Sequence, residues 1–191
     1  DSRYVKSETY GGDVINLGGQ NTLFVSTANR YLTGPAATFT TMVVGASKNE
    51  NLINNGQADH HLTIQCTGNS IVDTTFMGYE TNYFKKDIPV SSLTEGVTYF
   101  YYKSVADAGF NSNRTFVTYL RIDYPHTFNF ADFKGRAWME IPDASGLKTQ
   151  LSINNFNSTG PVWLYDLTNS KRIVSVKSGT TYRVLLATTG T

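Results

Sequence analysis

The sequence predicts an all-β fold, a jelly-roll-like β-sandwich of short, mostly antiparallel strands. Three observations lead there. Apolar residues recur with a period of two in one segment after another, the mark of half-buried strands. In residues 116–124, Phe116, Leu120, Ile122 and Tyr124 share one face, and Arg121 and Asp123 take the other. Roughly a dozen such segments follow one another at spacings of about 8–15 residues, divided by turn chemistry. No segment carries a helical stripe, whereas Thr, Val, Tyr and Phe, which suit a pleated surface, are abundant. No fixed-period repeat is present, which argues against a propeller or solenoid.

Residues 1–20 are polar, and Gly11-Gly12 and Gly18-Gly19 mark turns. Residues 22–26 read as a short strand. Residues 37–44 read as a central one, because Phe39, Thr41 and Val43 on one face are matched by Met42 and Val44 on the other. Residues 49–59 are a loop rich in Asn and Gly. Residues 62–66 and 71–77 form a hairpin about a turn at 67–70. Residues 78–86 read as a loop or irregular edge, and 87–90 as a short strand. Residues 97–104 are a strand with four consecutive aromatics, Tyr99 to Tyr102. The strand at 116–124 ends at Pro125, which cannot donate to a ladder. Residues 136–141, 147–153, 162–166, 172–176 and 182–187 complete the series, with Leu147, Leu151 and Ile153 on one face of their strand. No Pro- or Ser-rich linker divides the chain, so a single sandwich over 1–191 is expected. In it an irregular segment, 1–35, packs on a main body at 36–191, and the core comes mainly from 37–165.

Charge narrows the function. The net charge is +1, and the longest basic run is Lys85-Lys86. A sequence-independent nucleic-acid binder needs clustered cations to displace counterions, so that class is set aside. No run approaches the roughly 18 apolar residues of a membrane helix. No leader is recognisable, and the abrupt start at Asp1 suggests an excised domain or a trimmed mature form. With only 16% charged residues and many aromatics, the composition is that of a secreted β protein.

Few residues are arranged for chemistry. The one cysteine, Cys66, shares a face with Leu62 and Ile64, so it reads as a buried hydrophobe rather than a nucleophile. His60 and His61 are adjacent, and on a strand they point to opposite faces, which is poor geometry for one metal. His126 reads as a loop residue. Asp123, Glu140 and Asp166 lie on different segments. No catalytic residue, cofactor or metal ligand is expected. The candidate ligand-binding residues are aromatic: Tyr99 and Tyr101 on one face of their strand, with Trp138 and Trp163 on later ones. On an open face they would stack on sugar rings. Core packing, with the tyrosine hydroxyls at the rim, is the expected use.

Two stretches carry a family resemblance. Thr118-Tyr-Leu-Arg-Ile-Asp-Tyr-Pro125 followed by Val162-Trp-Leu-Tyr-Asp-Leu-Thr-Asn169 resembles the region before the catalytic domain of gingipain-family cysteine peptidases. It is most similar to the type IX secretion sortases of Bacteroidetes (PorU-like proteins). The order upstream is similar too, with an Asn- and Gly-rich hairpin and then Asp87-Ile-Pro-Val-Ser-Ser-Leu93. The chain departs from the pattern at Asn169-Ser170, where the family has Asp-Pro, and at Leu120-Arg121, where it has Asp and an aromatic. In that family the catalytic Cys and His lie in a caspase-like domain C-terminal to this region, and no position here matches their motif. The resemblance therefore implies a non-catalytic β domain of an exported or outer-membrane-associated bacterial peptidase. Its partners would be the catalytic domain of the same parent chain and other secretion or cell-surface proteins. The alternative is a secreted carbohydrate-binding or adhesin-like module.

Overall fold

The period-two segments form twelve strands in the structure, a computed structural model that describes residues 11–107, 109–131, 133, 135–141 and 148–187. They are distributed over two compact units, Asp1–His126 and Thr127–Thr191, a division that no linker composition marks. Every ladder between the described strands is antiparallel.

The first unit is a sandwich. One sheet holds β1 (Gln20–Ser26), β6 (Val97–Ser104), β3 (His60–Cys66) and β4 (Asn69–Phe76), in that order. The other has β2 (Ala37–Gly45) between β5 (Thr81–Ile88) and β7 (Thr115–Asp123). Only the β3–β4 hairpin stays within a sheet; the other connections cross between sheets. The expected central position of residues 37–44 is met, since β2 pairs on both sides. Its inward residues Phe39 and Val43 are fully buried. Phe39 stacks on Phe100 of the facing sheet, with ring centroids 5.3 Å apart. Between the same layers the Tyr102 hydroxyl donates to Thr41 Oγ1 at 2.9 Å, and Thr41 donates to the Tyr119 carbonyl at 2.7 Å. Burial pushes the Tyr102 phenol far up, and the bond with Thr41 offsets only part of this. The relay leaves none of these hydroxyls unsatisfied in an apolar layer.

A bulge changes the reading of β7. Its register on β2 slips between Met42 and Val43, so that Val117 faces Val43 and Tyr119 faces Met42. The additional residue, Thr118, ties its hydroxyl to the Met42 carbonyl at 3.2 Å. One extra residue reverses the phase of a period-two pattern. Phe116 therefore does not share the inward face of Leu120 and Ile122; before the bulge, Thr115 and Val117 point inward.

Of the two readings of 78–86, the edge is the one observed, and the short strand expected at 87–90 is corrected. Residues from Thr81 to Ile88 form the edge strand β5, and Val90–Ser92 is a 3-10 turn. Lys85, Lys86 and Asp87 on an exposed edge conceal strand character, and such charges also protect an edge from further pairing. The β3–β4 hairpin is as expected but tighter. Its turn is Thr67-Gly68 with φ of 47° and 80°, the positive pair that a two-residue turn requires. The loop at 49–59 holds one short helix, α1 (Glu50–Ile53). At the end of β2, a Cβ on Gly45 would run into the Gly78 carbonyl oxygen, so only glycine fits there.

The second unit has β11 (Val176–Ser178), β12 (Thr181–Ala187) and β8 (Lys148–Asn154) in one sheet, and a hairpin of β9 (Trp163–Asp166) and β10 (Lys171–Val174). Its own core gathers Phe130, Leu151, Ile153 and Tyr182. The inward face read for Leu151 and Ile153 is observed, while Leu147 lies outside the described residues. Residues 136–141 alternate as expected, with Ala137, Met139 and Ile141 packed on that core. They nevertheless belong to none of the described sheets. Alternation reports which side chains are covered and says nothing of whether the backbone has a partner.

Candidate functional site

Strand register builds the most conspicuous exposed feature of the first unit. On β6, Phe100 and Tyr102 point into the sandwich, so Tyr99 and Tyr101 must point out. On β1, Leu23 and Val25 pack toward the core, which turns Phe24 outward. Phe24 is the register partner of Tyr99, and their rings stand 6.2 Å apart at 51°. Phe24 is 69% exposed and Tyr99 47%. The next rung runs Thr22, Tyr101, Gln65 across β1, β6 and β3.

Core packing, the expected use of the candidate aromatics, is overturned for three of the four. Tyr99 lies on the open face, and Trp138 and Trp163 are 73% and 45% exposed. Tyr101 is half-buried on the same face as Tyr99. The four do not gather in one unit, since the tyrosines are in the first and the tryptophans in the second. Trp163 sits on β9, where the Arg172 guanidinium lies 4.6 Å from its ring centroid. Phe24 is absent from the sequence-derived set. Leu23 and Val25 flanking it were the available signal, but its pairing with Tyr99 spans far too much chain to be read locally.

A second, polar constellation closes one end of the sandwich. Asp59 is fully buried, and its two carboxylate oxygens accept from the Asn49 N–H at 2.6 Å and the Gly78 N–H at 2.7 Å. Beside it His60, also fully buried, stacks on Phe76 at 4.7 Å. His60 Nδ1 lies 2.8 Å from Asn113 Oδ1, and Nε2 3.0 Å from the Ser47 carbonyl. The Asn113 amide is oriented by donating Nδ2 to the carbonyls of His61 and Val105. Both ring nitrogens therefore have a hydrogen-bond partner within reach, and the Asp59 carboxylate lies 3.8 Å from Nε2. This cluster is structural glue between loops, and its partners come from four separate stretches of chain.

His61 points the other way, as the alternation requires. Its Nδ1 meets Asp107 at 2.6 Å and its Nε2 meets Asp73 at 2.8 Å. Burial favours the neutral ring, but the hydrogen bonds and charges of Asp73 and Asp107 outweigh it and raise the pKa above the ordinary 6.5. A group raised in the folded state stabilises the fold fully below its unfolded pKa and loses that contribution as pH rises through the folded one. The penalty of His61→Ala is accordingly expected to be larger at about pH 5.5 than at about pH 8.5, read as the shift in urea midpoint at each pH. An equal penalty at both would show that the pair of carboxylates does not hold the proton. Among the described residues no group of three or more ligating side chains is arranged for a metal ion.

Cys66 is fully buried, and its thiol donates to the Ser92 carbonyl at 3.2 Å. Burial pushes the thiol up, against a smaller opposite pull from the Thr67 hydroxyl. Both features oppose formation of the thiolate that a nucleophile needs. A depression of about 270 Å³ beside it is lined by Lys86, Asp87 and Ser92 among others, and no histidine is among the lining residues. Of the three carboxylates weighed from the sequence, Asp123 lies in the first unit, and Glu140 and Asp166 lie in the second. Asp123 pairs with Arg121 at 2.7 Å, and Asp166 closes the β9–β10 turn. Hydrogen bonds from the Asn169 side chain and backbone hold the Asp166 carboxyl below its ordinary range.

No family model matches the chain, and no curated protein matches it. Among solved structures, the crystal structure of dimeric latent PorU from Porphyromonas gingivalis superposes with a TM-score of 0.63 at 9% identity, over 94% of this chain. The chain has the fold of a segment of PorU. It spans only 17% of the PorU chain. The resemblance drawn from residues 118–125 and 162–169 is thus met in fold. The all-β sandwich is met as well, by the two facing sheets of the first unit. The CBM36-1 domain of a multidomain xylanase, from the hindgut metagenome of Trinervitermes trinervoides, overlaps 63% of this chain and 90% of its own at 15% identity. Its TM-score of 0.38 is too low to carry an argument about this chain.

Proposed function

We propose that this chain is a non-catalytic accessory region of an exported, gingipain-like cysteine peptidase of the type IX secretion sortase kind. It supports or positions a caspase-like catalytic domain C-terminal to it in the same parent chain, at the bacterial cell surface or outer membrane. The observation that carries this reading is the shared fold: nearly the whole chain superposes on PorU, and on a small part of it. The two strand motifs at 118–125 and 162–169 support it as well, because they are features of sequence and the superposition is one of backbone fold. The burial of Cys66 also supports it, since the one thiol of the chain is a core group. The test is the reading frame beyond Thr191. A caspase-like βαβ pattern with a Cys and a His is expected there; a stop codon directly after it overturns the proposal.

A further inference from the structure

We propose that the outer face of β1, β6 and β3 binds a neutral glycan chain, with Phe24 and Tyr99 as its stacking platform and Tyr101 beside them. This is independent of the accessory role above. The starting point is an exposure the fold does not use. Phe24 leaves 69% of its surface in water, and its nearest ring contact is Tyr99, itself half in solvent. The two rings form a contiguous exposed apolar surface, the kind of feature that marks a binding site rather than a scattered surface residue. Aromatic faces carry negative quadrupole density, and the C–H faces of a sugar ring present the complementary positive edge.

The flanking groups set the ligand class. Thr22, Tyr101 and Gln65 form the adjacent rung, about 7 Å along the strands. They offer two hydroxyls and an amide, which donate and accept without charge. The two rungs that hold the rings and these groups carry no Asp, Glu, Lys or Arg; the first cation, Lys103, lies one rung further on. Two rungs without charge suit a charge-free ligand at the rings, and Asp73 shares the rung of Lys103. A protein partner is less well matched, because Val97, one rung beyond Tyr99, is the one exposed aliphatic residue of β6, and interface cores draw on wider contiguous apolar surface.

The test uses the whole 191-residue chain. Its mobility is measured in native gels containing soluble β-glucan, arabinoxylan or galactomannan, with light scattering alongside. Retardation by at least one polysaccharide is expected, unaffected by added salt. The double variant Phe24→Ala, Tyr99→Ala is expected to bind about tenfold more weakly or not at all, with an unchanged circular dichroism spectrum. Three outcomes overturn the proposal: no retardation by any of the three, equal retardation of the variant, or retardation abolished by salt. A wild-type dimer that the variant loses, with no glycan retention, would likewise overturn it and assign the face to a second copy of the chain.

Discussion

Asp59→Ala is expected to lower the stability of the first unit by about 2–6 kcal/mol, since two buried N–H groups each lose their acceptor at about 1–3 kcal/mol. The substitution removes the acceptors of two backbone N–H groups, from Asn49 and Gly78, neither of which can reach water without opening the end of the sandwich. It also removes the side chain packed 3.8 Å from His60 Nε2, leaving a void beside a fully buried ring. Cys66 supplies a local readout, because it is the one thiol in the chain and is fully buried in this unit. The urea concentration at which Cys66 becomes reactive to a thiol reagent is expected to fall by roughly 2 M. Asp59→Asn keeps the shape and one acceptor, so its penalty should be intermediate. If Asp59→Ala shifts the midpoint no more than a surface change does, the cluster does not hold the loops together.

Phe39→Ala and Phe24→Ala form a matched pair in which residue type and substitution are the same and only burial differs. Phe39 is fully buried on the central strand β2 and stacks on Phe100 across the layers. Truncation there loses the transfer energy of the ring and leaves a cavity that two hydrogen-bonded sheets cannot close, at a cost of about 3–5 kcal/mol. Phe24 faces solvent from the edge strand β1, and its truncation should lie within about 0.5 kcal/mol of wild type. The same urea titration of Cys66 reads both. Similar penalties for the two would contradict the assignment of core and outer face. The low expected cost at Phe24 also makes that variant a clean probe of glycan binding.

How far the site was legible follows from the same contrast. The outward direction of Tyr99 and Tyr101 was available from alternation, once Phe100 and Tyr102 were assigned to the core. The identity of the ring beside Tyr99 was not, because β1 and β6 are joined only by a ladder between distant stretches. Trp138 and Trp163 were expected in a core and are exposed, because a period of two separates faces without saying which one is covered. His60 and His61 were weighed as metal ligands and set aside; His60 is bound to Asn113 and Ser47, and His61 to Asp107 and Asp73. Nothing near them in sequence announces those partners.

Residues 97–104 and the segments around β2, β3 and β12 needed only their own alternation to be recognised, since the direction of successive side chains is a local property of extended backbone. The all-β class follows from that property summed along the chain, and the likeness to the region preceding a peptidase domain rests on two strand endings. Only the tertiary structure decided which strands pair, that Thr118 bulges and reverses the face of Phe116, and that residues 136–141 alternate without joining a described sheet. It alone decided that His60 and Asp59 are core groups and that Phe24 and Tyr99 share a face. Each of these depends on a partner remote in sequence, chosen by the free energy of the whole assembly rather than by any one strand.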